Sequence, residues 1–197
     1  MMPGQRWIRH SVQEWDRQYS SAAWTYLAGL EQTPRYAIIE AWRRRLKPSG
    51  SVLDLGCGEG VLFAQIPSDA GVHYTGVDVS EVAVNTALNK VVTPLHERFI
   101  CADLVTFASS IESPVDVIVC NEVLYYLKDP VDVLRRYCQA LKPGGIVIVS
   151  VFHEEVRTWK DVDRSMAHAR LQTVLVRDFS SGKAWYLGLY QPARMAE

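Results

Sequence analysis

The 197-residue chain has little cysteine, no excess of either charge and no long apolar run. Its four cysteines, Cys57, Cys101, Cys120 and Cys138, include no C-x-x-C pair. That spacing rules out the usual structural zinc or thiol-redox motif, and four scattered cysteines do not make a disulfide scaffold. They are expected as buried small residues in a reducing compartment. Lysine plus arginine number 21 against 22 acids, for a net charge of −1. Surfaces that coat nucleic acid are usually basic, so no nucleic-acid partner is expected. The one basic cluster, Arg43, Arg44, Arg45 and Lys47, reads as a solvated helix end whose charges suit the C-terminal dipole. The longest apolar run, IVIVSVF, falls far short of the roughly twenty residues that a membrane span needs. The opening MMPGQRWIRH lacks the apolar core of a signal peptide. These absences point to a cytoplasmic protein with no membrane partner, as a monomer or weak homodimer.

Hydrophobic residues make up 48% of the chain and charged residues 22%, which suits a globular fold. One domain, 1–197, is expected, with residues 1–47 as a helical, Trp- and Tyr-rich extension and 48–197 as the core. Short β-branched runs mark strands at 51–55, 73–78, 97–103, 115–121 and 145–152. The continuous apolar character of the last two suits burial on both faces of a parallel sheet. Helical spacing separates them in EGVLFAQI, SEVAVNTALNKV and DPVDVLRRYCQAL. Ser80 is a candidate N-cap, and Asp129-Pro130 opens the third helix. Gly144-Gly145 then turns into the fifth strand. After a helical stretch near 154–169, LQTVLVRDF and KAWYLGLYQ flank an SSG turn and predict a hairpin. The expected fold is α/β: a doubly wound, Rossmann-like seven-stranded sheet ending in a C-terminal antiparallel hairpin.

The most informative stretch is VLDLGCGEG, at 52–60: a strand, then Gly56, Gly58 and Gly60. A glycine-rich turn between strand and helix is nucleotide geometry. The third glycine of the dinucleotide fingerprint is missing, with Val61 following Gly60, and so is the P-loop lysine. Asp54 would repel a pyrophosphate and favour a cation. The methionine end of S-adenosylmethionine, with its ammonium and sulfonium, fits. Asp78, at the end of the second strand, can accept hydrogen bonds from both ribose hydroxyls. Asp103, ending the third strand, is placed to take a hydrogen bond from an adenine amino group. Three acids at successive strand ends lie at the carboxyl edge, where open α/β sheets bind ligands.

With these residues in view, VLDLGCGEG, VDVS, CADL, VIVCNEVLYYL and LKPGG resemble the ordered motifs of class I S-adenosylmethionine-dependent methyltransferases over residues 48–152. NEVLYYL and the small size are similar to nodulation-type N-methyltransferases and other small-molecule enzymes. The resemblance implies S-adenosylmethionine as cofactor. It assigns Gly56 and Gly58, with Cys57 between them, to the backbone around the methionine moiety. Asp54 would support the ammonium, partly through water. Asp78 would hold the ribose, Val79 pack on adenine, Asp103 bind the adenine amino group and Leu104 lend its N–H. Asn121 and Glu122 would line the methyl-donor side. A simpler role for Glu122 is a helix N-terminal acid.

Methyl transfer needs proximity, orientation and exclusion of water more than dedicated acid–base groups. Glu122 and His153 are the candidate catalytic residues, His153 as a general base at neutral pH or else as an exposed loop residue. His10, His73, His96 and His168 show no partner arrangement. A metal-assisted catechol site would need an Asp where Asn121 stands and an acidic pair where Glu154-Glu155 is shifted, so no metal is expected. NEVLYY replaces the [DN]-P-P-[YF] turn of nucleic-acid amino-methyltransferases, which argues against a base as substrate. Tyr19, Tyr125, Tyr126 and His153 are candidates for contacting a small-molecule N or O acceptor. Trp15, Tyr19, Trp24 and Tyr26 are expected as a lid or as core rings. Two alternatives stay open: a non-catalytic S-adenosylmethionine-binding protein, and a methyltransferase acting on a protein partner.

Overall fold

The computed structural model describes residues 10–67, 71–91 and 97–193; His96 and the first nine residues lie outside them. Seven strands form one sheet in the order β3-β2-β1-β4-β5-β7-β6. They are β1 (Ser51–Leu55), β2 (His73–Asp78), β3 (Glu97–Cys101), β4 (Val115–Asn121), β5 (Leu141–Phe152), β6 (Arg170–Arg177) and β7 (Ala184–Tyr190). The first five are parallel; β7 pairs antiparallel with β5, and β6 with β7. The helices are α1 (Val12–Ser20), α2 (Thr33–Leu46), α3 (Glu81–Leu88), α4 (Leu104–Phe107), α5 (Pro130–Cys138) and α6 (Val156–Ser165). Among the described residues no helix is long and apolar enough to cross a membrane.

The apolar runs of β4 and β5 have a simple cause. Val117, Ile118, Val119 and Cys120 are each no more than 1% exposed, because both faces of the sheet are covered. Strand alternation sends Val117 and Val119 to one core with Val52, Ile146, Ile148 and Ile39 of α2. It sends Ile118 and Cys120 to the other, with Leu53, Val147, Leu134 of α5 and Val162 of α6. Truncating a side chain such as Ile148 to alanine would cost about 2–5 kcal/mol.

Local signals set the helix starts. Ser80 accepts from the Ala83 N–H at 3.2 Å and Asp129 from that of Asp132 at 3.1 Å. Asp178 closes the hairpin turn by accepting from the backbone N–H groups of Ser180 and Ser181.

The structure departs from the sequence reading in four places. EGVLFAQI forms turns and a short 3₁₀ segment, Phe63–Gln65, in place of an α-helix. Gly60 sits at φ 72°, outside the helical region, and Pro67 disfavours helix at the residue before it, so too few residues remain between them. Strand β5 begins at Leu141, paired with Val115, and the next pair is Val117 with Ile146, so Lys142 to Gly145 bulge from the ladder. Arg43 is 1% exposed and is no part of a solvated face. It pairs with Glu40 at 2.6 Å and donates to the Lys47 and Pro48 carbonyls, capping the end of α2. Of the four cysteines, Cys57 and Cys120 are buried, Cys138 is half-buried and Cys101 is exposed.

Candidate active site

Strand order reverses between β1 and β4, the switch point at which open α/β sheets form a crevice. The glycine loop lies there. The N–H groups of Gly56 and Cys57 both donate to the Val77 carbonyl, at 2.8 and 3.1 Å, which fixes the loop against β2. Gly56 is at φ 72°, and a Cβ on it would overlap a Val123 methyl. A Cβ on Gly58, at φ 52°, would point 3.0 Å from the Tyr19 hydroxyl. Both positions therefore need glycine, for backbone conformation and for space. The Cys57 side chain packs over Gly76 of β2, leaving only its backbone to the loop; burial pushes its thiol well up.

Asp78, 7% exposed, accepts from the Gly58 N–H at 2.9 Å and the Ser80 N–H at 3.0 Å. Burial raises its pKa, and these N–H groups partly oppose the rise. A carboxylate has about four acceptor positions, so the two N–H groups orient it without saturating it. Asp54, 1% exposed, accepts from the Tyr74 hydroxyl at 2.5 Å. Burial pushes its pKa up to about 7.

Sequence reasoning missed one buried cation. Arg35 of α2 is fully buried and donates to Asn121 Oδ1 at 2.5 Å and to Gln32 Oε1 at 2.8 Å. Its guanidinium lies 4.6 Å from the Tyr36 ring centroid and 5.6 Å from that of Trp185. A signal was present: Arg35, Ile39 and Trp42 share one face of α2, and a charge on an apolar face needs a partner. Among the described residues, three buried side-chain polar atoms have no hydrogen-bond partner: Trp24 Nε1, Arg35 Nε and Asp54 Oδ1. Native interiors rarely leave such atoms unpaired. Arg35 Nε is a cationic donor and Asp54 Oδ1 an acidic acceptor, and the Tyr36 phenol feels both charges. That pair suits a zwitterion, which is what the methionine end of an adenosyl cofactor is.

Glu122 follows β4 at φ 60°, an unusual conformation for a residue with a Cβ. Its Oε1 accepts from the Ser150 hydroxyl at 2.9 Å and its Oε2 from the Tyr125 hydroxyl at 3.1 Å. The same Ser150 hydroxyl lies 2.7 Å from Asn121 Oδ1, so its one proton is shared between the two acceptors. Burial raises the Glu122 pKa, with Arg35 the main opposing influence. Glu122 thus belongs to a polar network and does not cap a helix. Tyr125 and Tyr126 pack 4.5 Å apart; burial raises both hydroxyls, Tyr126 to about 12.

The remaining candidates have mixed placements. Asp103 accepts from the Val105 N–H at 2.7 Å, capping α4, and is half-buried. Leu104 puts its side chain into the core beneath, Val79 is half-buried beside Asp78, and the structure gives each a position at the same sheet edge. His153 is engaged elsewhere: its Nδ1 lies 3.2 Å from the Ala184 carbonyl and its ring packs on Phe152. It fastens the start of β7 to the end of β5.

Helix α1 covers the glycine loop. Asp16 accepts from the Ser80 hydroxyl at 2.6 Å, next to Asp78. Trp15 packs edge-on to Tyr126 at 4.9 Å, and Trp24 lies 6.1 Å from Tyr19 and 6.0 Å from Tyr26. These rings make a wall from the loop to the end of β4.

Comparison with known proteins agrees with this architecture. The chain is 32% identical over 109 residues to a ubiquinone biosynthesis O-methyltransferase of Idiomarina loihiensis, covering 55% of this chain and 44% of that protein. A relative of the same description from Aromatoleum aromaticum is 31% identical, with 46% of its length covered. The chain therefore spans about half the length of these curated relatives. Among solved structures, the N-methyltransferase NodS of Bradyrhizobium japonicum WM9 bound to S-adenosyl-L-homocysteine superposes with a TM-score of 0.78 at 20% identity, covering 91% of this chain and 97% of that one. The plantazolicin methyltransferase BpumL, also with S-adenosylhomocysteine, gives 0.66 at 16% identity, with 93% and 94% covered. At these identities the two structures speak for the fold. A family model described as a methyltransferase domain matches residues 26–187, well over half of the chain. The chain belongs to the methyltransferase domain family.

Proposed function

We propose that this protein is an S-adenosylmethionine-dependent methyltransferase acting on an N or O atom of a small molecule. The observation that carries the reading is the buried, unpartnered Asp54 Oδ1, two residues before a glycine loop oriented by Asp78; the unpartnered Arg35 Nε on α2 supports it. In this reading Arg35 receives the carboxylate of the cofactor's methionine end and Asp54 its ammonium. Asp78 holds the ribose hydroxyls, and Asp103 and Leu104 hold the adenine edge. Bound there, S-adenosylmethionine supplies a methyl group already activated on a sulfonium.

The chain's own residues do the rest. Glu122, held by Ser150 and Tyr125, accepts a proton from the acceptor atom. Burial makes it a stronger proton acceptor than an exposed glutamate. Tyr125 and Tyr126 position the acceptor. Residues 10–47 close over the core within a single domain, and Tyr19 and Trp24 exclude water from the glycine loop. His153 serves as a structural joint.

Calorimetry with S-adenosylhomocysteine and with NAD, followed by transfer of labelled methyl into metabolite extracts, tests the reading. Binding of the first without the second, with label in a small molecule, is expected. Binding without any transfer would make the protein a sensor of the cofactor. Label found only in protein would redirect the acceptor to a macromolecule.

A further inference from the structure

The most exposed large hydrophobic side chains of the described residues are Phe179, 88% exposed, and Leu30, 87% exposed. They do not stand apart. Both line one cleft of about 810 Å³, together with Tyr26, Pro34 and Val176. One wall is the N-terminal stretch from Tyr26 to Pro34; the other is the end of β6 and the hairpin turn. The Lys183–Glu31 ion pair, at 2.7 Å, ties these walls together, and the Lys183 ammonium lies 5.3 Å from the Tyr26 ring centroid. Arg177 stacks on Phe179 at 5.6 Å, giving the ring a defined place.

The cleft adjoins the candidate active site. Pro34 directly precedes Arg35. Tyr26 lines the cleft and packs on Trp24 of the aromatic wall, and its hydroxyl feels the charges of Glu122 and Arg35. A mainly apolar cleft, with Glu31, Arg177 and Asp178 also in its lining, beside a centre that holds Glu122 and the buried Arg35, is asymmetric in a way that a uniformly polar acceptor would not use.

We propose that the methyl acceptor is an amphiphile: its reactive polar head meets Glu122 and the tyrosine pair, and an apolar arm lies in the cleft between Leu30 and Phe179. This deepens the function proposed above and rests on it for the position of the head. The occupant is an arm of the substrate because Tyr26 both lines the cleft and packs on Trp24 of the aromatic wall.

Two probe series, n-alkylamines and 4-alkylphenols of increasing chain length, test the proposal by titration with and without S-adenosylhomocysteine. The comparison protein is the double variant Leu30→Ser, Phe179→Ser; both positions are so exposed that folding should be unaffected, and S-adenosylhomocysteine affinity serves as the control. Affinity should rise by about two- to fourfold per added methylene, the lower figure for partial burial. In the double variant that slope should flatten while S-adenosylhomocysteine binds as before. A wild-type protein with no chain-length dependence in either series overturns the proposal. So does a slope that survives in the double variant, which would place apolar binding elsewhere. Self-association or binding to phosphatidylcholine vesicles that the double variant abolishes, without any slope, would assign the face to a second copy or to a lipid surface. Failure to bind S-adenosylhomocysteine would count against the proposed function, while the slope measured without it still reports on the cleft.

Discussion

Replacing Asp54 with asparagine should change stability in a direction that depends on pH. The Asp54 carboxyl is held at about 7 in the fold against 3.8 ordinarily, because burial disfavours its charge. At about 1.36 kcal/mol per pKa unit, ionising it inside the protein costs about 4 kcal/mol. The folded pKa is raised, so the folded state binds the extra proton. The cost is absent below pH 3.8, grows as pH rises and is complete above about 7. The asparagine amide keeps an acceptor for the Tyr74 hydroxyl but places an unpaired NH₂ where Oδ1 stood, at a cost of about 1–3 kcal/mol. Near pH 4 the variant should therefore be the less stable protein, by about that amount. At pH 8 it should be the more stable one by a similar margin, since removing the ionisation cost outweighs the orphaned amide. Urea unfolding of both proteins from pH 4 to 9 measures the difference directly. A stability difference that stays constant across the range would refute the reasoning. The same substitution should weaken S-adenosylhomocysteine binding, since the anion that destabilises the fold is the one that meets the ammonium.

Arg35→Met should lower affinity for S-adenosylhomocysteine by about 1.5–3 kcal/mol, the range for hydrogen bonds to charged groups, and leave methylthioadenosine, which lacks the amino-acid end, unaffected. Equal loss for both ligands would mean that Arg35 only supports the fold. Glu122→Gln should cut the methyl-transfer rate about 10²–10⁴-fold with little change in cofactor binding, and should remove the acidic limb of the pH–rate profile. A retained limb would assign that ionisation to another group. Asp16→Ala should release α1 from Ser80, and hydrogen exchange over 12–20 should speed up; S-adenosylhomocysteine should slow exchange in the wild type. Exchange that neither change alters would make α1 ordinary core.

Legibility followed the range of the interaction. Strands at 51–55, 73–78 and 115–121 match the sequence reading end for end, because short β-branched and aromatic runs end at glycine or acid positions; in 115–121 burial on both faces adds a nearly unbroken apolar run. The glycine loop and the acids after it were legible because backbone conformation and strand ends impose local residue types. The segment 59–66 misleads because its apolar spacing fits a helix that Gly60 and Pro67 do not allow. Arg35 was missed because its meaning depends on Asn121, 86 positions away. Arg43 reads as solvent-facing because a basic cluster looks the same whether one of its members turns inward or not. For His153, proximity to a strand end suggests chemistry, while the pairing of β5 with β7 gives its ring a backbone partner. The left-handed conformation of Glu122 had no precursor in the sequence, since glutamate rarely adopts it.

Ser80 has a consequence for timing. Its hydroxyl donates to Asp16 on the covering helix, and its N–H donates to Asp78, which also receives the Gly58 N–H. One residue is thus the hinge pin between the cover and the acid proposed to hold the ribose. Under that assignment α1 cannot lift without breaking its bond to the neighbour of Asp78, so movement of the cover and hold on the ribose would be linked through Ser80. Ser80→Ala should shorten the residence time of S-adenosylhomocysteine more than it weakens the equilibrium affinity, and stopped-flow displacement would show whether the two change apart or together.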